Sequence, residues 1–276
     1  MATQKINLSA GVRSNLLTLQ NTTKLIATVQ TRLSTGLKVN SAIDDANAYF
    51  TAKALNNRSD DLNALKSNID LSISAIQSAI HGIESITELV QQAKGLVNTA
   101  KATGDTSERS LLAIQFNALL VQIDNLANDS NFNGTNLIRS TPDNLQVDFN
   151  EDSTSSITIT GLDSTTASTG LDITEAGNNF ANLTDINFSI TQLNSALTEL
   201  RTNAATLGSN NTVLQTRLDF TANLSTTLQE GAGKLTLADL NEESANLLAL
   251  QTRQQLGLNS LSLAARSERA VLALFG

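Results

Sequence analysis

The sequence predicts a mainly α fold, a long antiparallel coiled coil or helical bundle with a small β-hairpin insert in the middle. Three observations predict it. Apolar residues recur at alternating steps of three and four along both flanks of the 276-residue chain, the spacing that lines up one stripe of a helix against a partner helix. The chain has one proline, Pro142, and only 14 glycines, so few positions interrupt a helix. Aromatic residues make up 3% with no Trp, and the apolar content is Leu, Ile and Ala, which suits helix seams better than a core built around large rings.

The elements follow in chain order. Val12, Leu16, Leu19, Thr23, Ile26, Gln30, Leu33 and Leu37 form an N-terminal seam. From Leu62 the steps continue through Leu65, Ile69, Ser72, Ile76, Ala79, Ile83, Ile86, Val90, Ala93 and Val97, with only Ser72 off pattern. The loop ATGDTSE then supplies a stop at Gly104 and N-caps at Asp105 to Ser107. Leu112, Phe116, Leu119, Ile123 and Leu126 make the next helix. Between Phe132 and Phe188 the period changes. Asn133-Gly134 signals a turn, and LQVDF and SITIT alternate apolar and polar residues around NEDSTS, predicting a hairpin from Leu145 to Thr160 and a loop to about Asn182. Ile186, Ile190, Leu193, Leu197, Leu200, Ala204, Leu207, Asn211, Leu214 and Leu218 form a third long helix. Gly231 and Gly233 are read as a hinge ending it. The C-terminal seam runs through Leu237, Leu240, Ser244, Leu247, Gln251, Gln254, Leu258, Leu261, Ala265, Glu268, Leu272 and Phe275. The expected division is a terminal coiled-coil domain from residues 1–44 and 233–276. Residues 45–232 form a rod of three long helices, with the hairpin and outer loop at about 132–185.

The terminal seams carry more apolar residues than one partner can cover, among them Leu17, Leu25, Val29, Leu248, Leu250, Leu256 and Leu263. A helix apolar on more than one side needs more than one neighbour. The closing stretch SERAVLALFG fits this: Leu272 and Phe275 continue the intramolecular seam, leaving Val271 and Leu274 for other copies of the chain. Gln30, Gln251 and Gln254 interrupt the seams and are read as polar residues that set register.

The formal net charge is -8 and unevenly placed. From Ser140 to Leu200 there are nine acidic residues and no Lys or Arg, against 18 basic and 17 acidic residues elsewhere. Nearly neutral flanks suit close packing of like copies, and an acidic middle suits a solvated surface. No basic cluster or aromatic platform exists to hold nucleic acid. No run of about 18 apolar residues predicts membrane insertion, and Met1 to Leu8 lacks the apolar core of a standard secretory signal. The chain has no Cys and one His, His81. Thiolate and multi-His metal sites and Ser-His or Cys-His machinery therefore lack parts, and no cofactor is expected. EGAGKLT misses the phosphate-loop pattern, with Leu228 in place of its first Gly and Leu235 in place of its hydroxyl. Asp44-Asp45 is read as a cap or turn contact, since adjacent helical residues do not share a face.

The run RLSTGLKVNSAIDDANAYFTAK resembles the N-terminal block of bacterial flagellins, matched at Arg32, Leu33, Ser34, Gly36, Asn40, Ala42, Asp44, Asp45 and Ala46. NFNGTNLI resembles the turn after that family's second core helix, and the tail from Asp239 is similar to its C-terminal block, with Gln251, Gln254, Gln255, Leu256 and Ala264 in matching places. The TRQQLG run and the short length look most like alphaproteobacterial flagellins. The resemblance implies a non-enzymatic subunit that self-polymerises into the extracellular flagellar filament used for swimming. It also implies partners: other flagellin subunits, the flagellar type III export apparatus, an export chaperone, the filament cap and the hook-filament junction proteins. The alternatives are a hook-filament junction protein, which shares the terminal blocks, and a secreted coiled-coil adhesin. Flagellins of gut bacteria carry an Arg-x-Arg-Glu-Leu-like run that a vertebrate innate receptor reads. Ser85, Ile86, Thr87, Glu88 and Leu89 stand there in this chain, with both arginines missing. A cell reporter assay is therefore expected to give little or no activation of that receptor; a response equal to an enteric flagellin's contradicts this.

Overall fold

The computed structural model describes residues 10–275, with Glu268 and residues 271–275 described in backbone only. Helix α1 spans Ala10–Thr35, α2 Ala46–Ala102 and α3 Thr106–Asp129. Strands β1 (Leu145–Asp148) and β2 (Ser156–Ile159), a 3-10 turn at Gly177–Phe180, and helices α4 (Leu183–Thr236) and α5 (Leu240–Phe275) follow. The chain divides into two compact units, Met1–Arg58 with Thr227–Gly276, and Ser59–Thr226.

In the Ser59–Thr226 unit the heptad pattern of α2 becomes a continuous buried stripe. Ile69, Ile76, Ala79, Ile83, Ile86, Val90, Ala93 and Val97 are all buried, and Leu65 is half-buried. Ser72, the off-pattern position, is buried at no loss because its hydroxyl donates to the Asn68 carbonyl at 2.8 Å. On α4 the matching stripe is Ile186, Leu193, Leu197, Leu200, Leu207 and Leu214. Two hydroxyls meet where α2 and α4 pack, Ser59 Oγ and Ser225 Oγ, 2.8 Å apart, and Ser225 also reaches Asn63 Oδ1 at 3.2 Å. Asn211 is half-buried on the same stripe, with its Oδ1 enclosed and unpaired.

Helix α3 starts where its cap is: the Asp105 carboxylate accepts the Ser107 amide at 2.8 Å. Arg109 then ties the preceding turn down, its Nε donating to the carbonyls of Ala100 and Thr103 at 3.0 Å each. Among the described helices α3 alone has the length and hydropathy to cross a membrane; its Phe116, Leu120 and Ile123 are buried in the core of this unit. The buried stripe includes Ala113, Leu120 and Ala127, while Leu112, Leu119 and Leu126 beside them are half-buried.

After α3, Asn133 (φ 50°) and Gly134 (φ 86°) form a tight left-handed turn closed by two bonds between Phe132 and Thr135. Asn136, also buried, then ends the helix. Its Nδ2 donates to the carbonyls of Ala127 (2.8 Å) and Asn128 (3.0 Å), while its Oδ1 accepts the amides of Ile138 (2.9 Å) and Arg139 (3.1 Å). The strands pair antiparallel with Leu145 opposite Ile159 and Val147 opposite Ile157. Val147 and Ile159 are buried in the core, whereas Gln146 and Thr158 face solvent. Arg217 of α4 lies 4.8 Å over the Phe149 ring just past β1. The 3-10 turn is left-handed at Asn178, Asn179 and Phe180, the last at φ 60°. For a bulky residue this costs about 1–3 kcal/mol. Phe180 is fully buried with its ring 5.4 Å from that of Phe116, and burial of such a side chain contributes about 1.5–3 kcal/mol, enough to offset the strain.

The hinge reading of Gly231 and Gly233 needs correction. Both lie inside α4, which continues to Thr236. Glycine in a helix interior costs about 1 kcal/mol but keeps its N–H in the ladder, so it weakens a helix without ending it. The break comes at Leu237–Asp239, where Leu237 bridges Leu37 and the Ala238 amide donates to the Gly36 carbonyl at 2.9 Å. The Asp239 carboxylate then caps α5 through the Asn241 amide at 2.9 Å.

Asn136→Ala is expected to lower stability by about 2 kcal/mol or more, because it strands buried amides and carbonyls together. The shift in urea midpoint of the folded chain measures it, and an unchanged midpoint contradicts the assigned bonds.

Candidate assembly interface

Helices α1 and α5 pack along their length within the Met1–Arg58 and Thr227–Gly276 unit. Their antiparallel register is read from four contacts: Leu19 against Gly257, Thr23 with Gln254, Arg32 with Glu243 and Leu37 with Leu237. On α1 the inward residues are Val12, Leu19, Thr22, Ile26, Val29 and Leu33. On α5 they are Glu243, Leu247, Leu250, Gln254, Gly257, Leu261 and Ala264. Thr22 joins the seam because its hydroxyl bonds the Thr18 carbonyl at 2.9 Å, leaving its methyl free to pack. Gly257 has Leu19 Cδ1 3.3 Å from where a Cβ would sit, so the absence of a side chain there lets the helices approach closely.

This places the predicted residues unevenly. Leu19, Ile26, Leu33, Leu247 and Leu261 lie on the seam, and Leu37 is half-buried at its base. Leu16 (36% exposed), Leu240 (50%) and Leu258 (45%) lie off it. Gln30 and Gln251 do not interrupt the intramolecular seam as expected; both are exposed, and the buried Val29 and half-buried Leu250 take the inward positions beside them. Every second seam position moves back by one residue, which at these two buries Val and Leu and avoids stripping water from two amides. Gln254 does sit at the seam and donates to Thr23 Oγ1 at 3.3 Å. The side chains of Val271, Leu272, Leu274 and Phe275 fall outside the described residues.

The base of the pair is polar and specific. Arg32 Nη1 meets Glu243 Oε1 at 2.9 Å, with the Glu243 side chain only 10% exposed. Gly36, at φ 71°, ends α1, its amide bonding the Arg32 carbonyl at 2.8 Å. Ser34 is exposed on the last turn. The Asp44 carboxylate accepts the amides of Asn40 (3.1 Å) and Ser41 (2.9 Å) and the Ser41 hydroxyl (3.0 Å), closing a turn. Asp45 caps α2 through the Ala48 amide at 3.0 Å. Glu243 and Gly257 are seam residues that a leucine-led count passes over, and Leu250 is one that the expected spacing left beside the seam. His81 is exposed beside Glu84 on α2.

Part of what remains on the outside is apolar. Leu17 and Leu25 on α1, and Leu248, Leu256 and Leu263 on α5, are each at least half exposed. Full burial of one such leucine contributes about 1.5–3 kcal/mol, so this helix pair carries an unused driving force for association.

The three bonds of Asp44 set its titration. The Ser41 hydroxyl first, then the amides of Ser41 and Asn40, hold its carboxyl below the usual carboxylate value, with a smaller contribution from Arg32. A lowered folded-state pKa means that the stabilisation is present above the unfolded-state pKa and is lost as pH falls through the folded one. The Ser41 amide proton shift is expected to titrate with a midpoint below that of a free aspartate, and Asp44→Asn to abolish the transition. A midpoint at or above the ordinary value contradicts the turn.

Two family models match the chain: the bacterial flagellin N-terminal helical region over residues 6–142 and the C-terminal helical region over residues 190–275. Flagellin FljO of Caulobacter vibrioides is 33% identical over the full length of both chains, and flagellin FljN of the same organism is 34% identical over the same extent. A flagellin of Brucella melitensis is 29% identical, covering 94% of this chain and 95% of its own. A crystal structure of Bacillus cereus flagellin aligns with a TM-score of 0.49 and 21% identity, covering 56% of this chain and 88% of that one.

Proposed function

Since this chain belongs to the bacterial flagellin family, we propose that it is a structural subunit of the flagellar filament, polymerised through the outward leucines of α1 and α5. The observation that carries the reading is the pair of apolar faces left over once these helices have covered each other. One copy can satisfy only one face of each helix. Several neighbouring copies can satisfy the rest, and a helical polymer provides them.

In this reading the terminal pair, residues 1–44 with 233–276, is the inner core domain, and residues 45–232 are the rod domain. The acidic stretch from Ser140 to Leu200 belongs to the solvated part. The filament is extracellular, and the subunit reaches it unfolded through the flagellar type III export apparatus, escorted by an export chaperone. At the tip it meets the cap, and at the base the hook-filament junction proteins. The absence of Cys supports that route, since no disulfide can form before the chain is through. The role is mechanical and not catalytic. Gln254, which bonds Thr23, sets the register of the terminal pair, while Gln30 and Gln251, lying outside it, contribute polar contacts between copies. Val271 and Leu274 extend the intersubunit surface.

Purified chain added to filament fragments as seeds is expected to give long tubes by electron microscopy. The double variant Leu248→Gln, Leu256→Gln is expected to keep the parent melting temperature, because both side chains are already exposed, yet to polymerise only at a concentration raised at least about tenfold. Polymerisation at the parent concentration overturns the assignment of this face. A chain that never forms tubes on seeds overturns the filament role and favours the adhesin alternative.

A further inference from the structure

Ile43 is 96% exposed, more than any other large apolar side chain among the described residues. It occupies the third position of the turn Ser41 to Asp44, closed by the Asp44 amide donating to the Ser41 carbonyl at 3.1 Å. Turn chemistry at such a position favours Gly, Asn, Asp or Ser, so a β-branched apolar residue serves nothing local. The turn is nevertheless held firmly, by the three bonds to the Asp44 carboxylate on one side and the Asp45 cap on the other. A bulky apolar group on a preorganised turn loses little conformational freedom when it binds.

The same unit carries a recess of about 320 Å³. Its apolar lining comes from Leu37, Val39 and Ala52, the last two buried, with Asn40, Tyr49, Lys53, Asn56 and Thr236 around them. An isoleucine side chain fits within that volume. The charges match as well, because Asp44 and Asp45 flank Ile43 while Lys53 flanks the recess. The recess reaches Asn40, whose amide the Asp44 carboxylate holds, so knob and recess adjoin on one chain; a rotation between copies that does not close makes their union a head-to-tail contact, the kind that propagates into a helical polymer.

We propose that Ile43 of one copy seats in the Leu37, Val39 and Ala52 recess of a neighbouring copy, as a specific anchor of the assembled state. This contact rests on the filament role and adds to it a defined pair of patches distinct from the leucine faces of α1 and α5. The chain has no native Cys, so introduced thiols report on contacts without background. Copies carrying Ile43→Cys are mixed with copies carrying Asn56→Cys, polymerised on parent seeds, oxidised and run on a denaturing gel. Cross-linked dimers of the two variants are expected in filaments and not in monomer, and Ile43→Cys alone is expected to give none. Ile43→Ser is expected to raise the concentration needed for polymerisation by about tenfold or more, with helicity unchanged by circular dichroism, while Ile43→Val stays near the parent. Filaments of the mixed variants without 43–56 dimers, self-dimers of Ile43→Cys, or polymerisation of Ile43→Ser at the parent concentration each overturn the contact while leaving the filament role intact. Parent chain that stays monomeric on seeds removes that role and this contact with it.

Discussion

A helix can bury one stripe against one partner, and everything in this protein follows from how much apolar surface its helices carry beyond that stripe. Where supply and demand come closer, as along α2 and α4 from Ser59 to Thr226, the seam closes into a core that includes Phe116, Phe180 and the inner face of the hairpin, with Leu71, Phe188, Val213 and Phe220 left exposed. Where they do not, as on α1 and α5, the seam itself is thin. It contains a threonine, a glycine, a glutamine and an ion pair buried on its Glu243 side only, and leucines stand outside it. Folding and association are thus driven by the same force, divided between residues one apart on the same helix.

Much of this was legible from spacing alone. The steps of three and four from Leu62 to Val97 identified the buried stripe of α2 nearly residue by residue, because a long helix with an unbroken heptad allows only one phase. The hairpin was equally legible, since LQVDF and SITIT each alternate and their apolar residues face one another in the observed register. The terminal helices were harder for a physical reason. With leucines at Leu16, Leu17, Leu25, Leu248, Leu256 and Leu258, several stripes compete, and counting apolar residues does not say which faces the partner chain segment and which faces other copies. The solution adopted, Val29 over Gln30 and Gly257 over Leu258, follows amide desolvation and close approach, neither of which a leucine count contains. The left-handed turn at Asn178 to Phe180 was illegible for another reason, because its conformation is imposed by burial of Phe180 against α3 and not by local preference.

The polar residues of the motif around Arg32 acquire physical roles from the structure. Arg32 holds a nearly buried Glu243, Gly36 supplies the positive φ that ends α1, and Asp44 and Asp45 organise the passage into α2. Together they fix how the chain leaves one helix and starts the next over ten residues containing almost no apolar burial except Val39. Such a segment is held by directional bonds, and its geometry is correspondingly sensitive to protonation at Asp44.

The contact between Ser59 and Ser225 has a kinetic consequence. These residues are 166 positions apart, so forming their contact closes more than half of the chain into a loop. Once it exists, pairing Arg32 with Glu243, 211 positions apart in sequence, requires closing only the shorter segments between the two serines and these residues. Loop-closure entropy grows with the number of free links, and low effective contact order speeds folding. The terminal helices can therefore remain unstructured until late and still find each other quickly, a folding order in which the tails zip last.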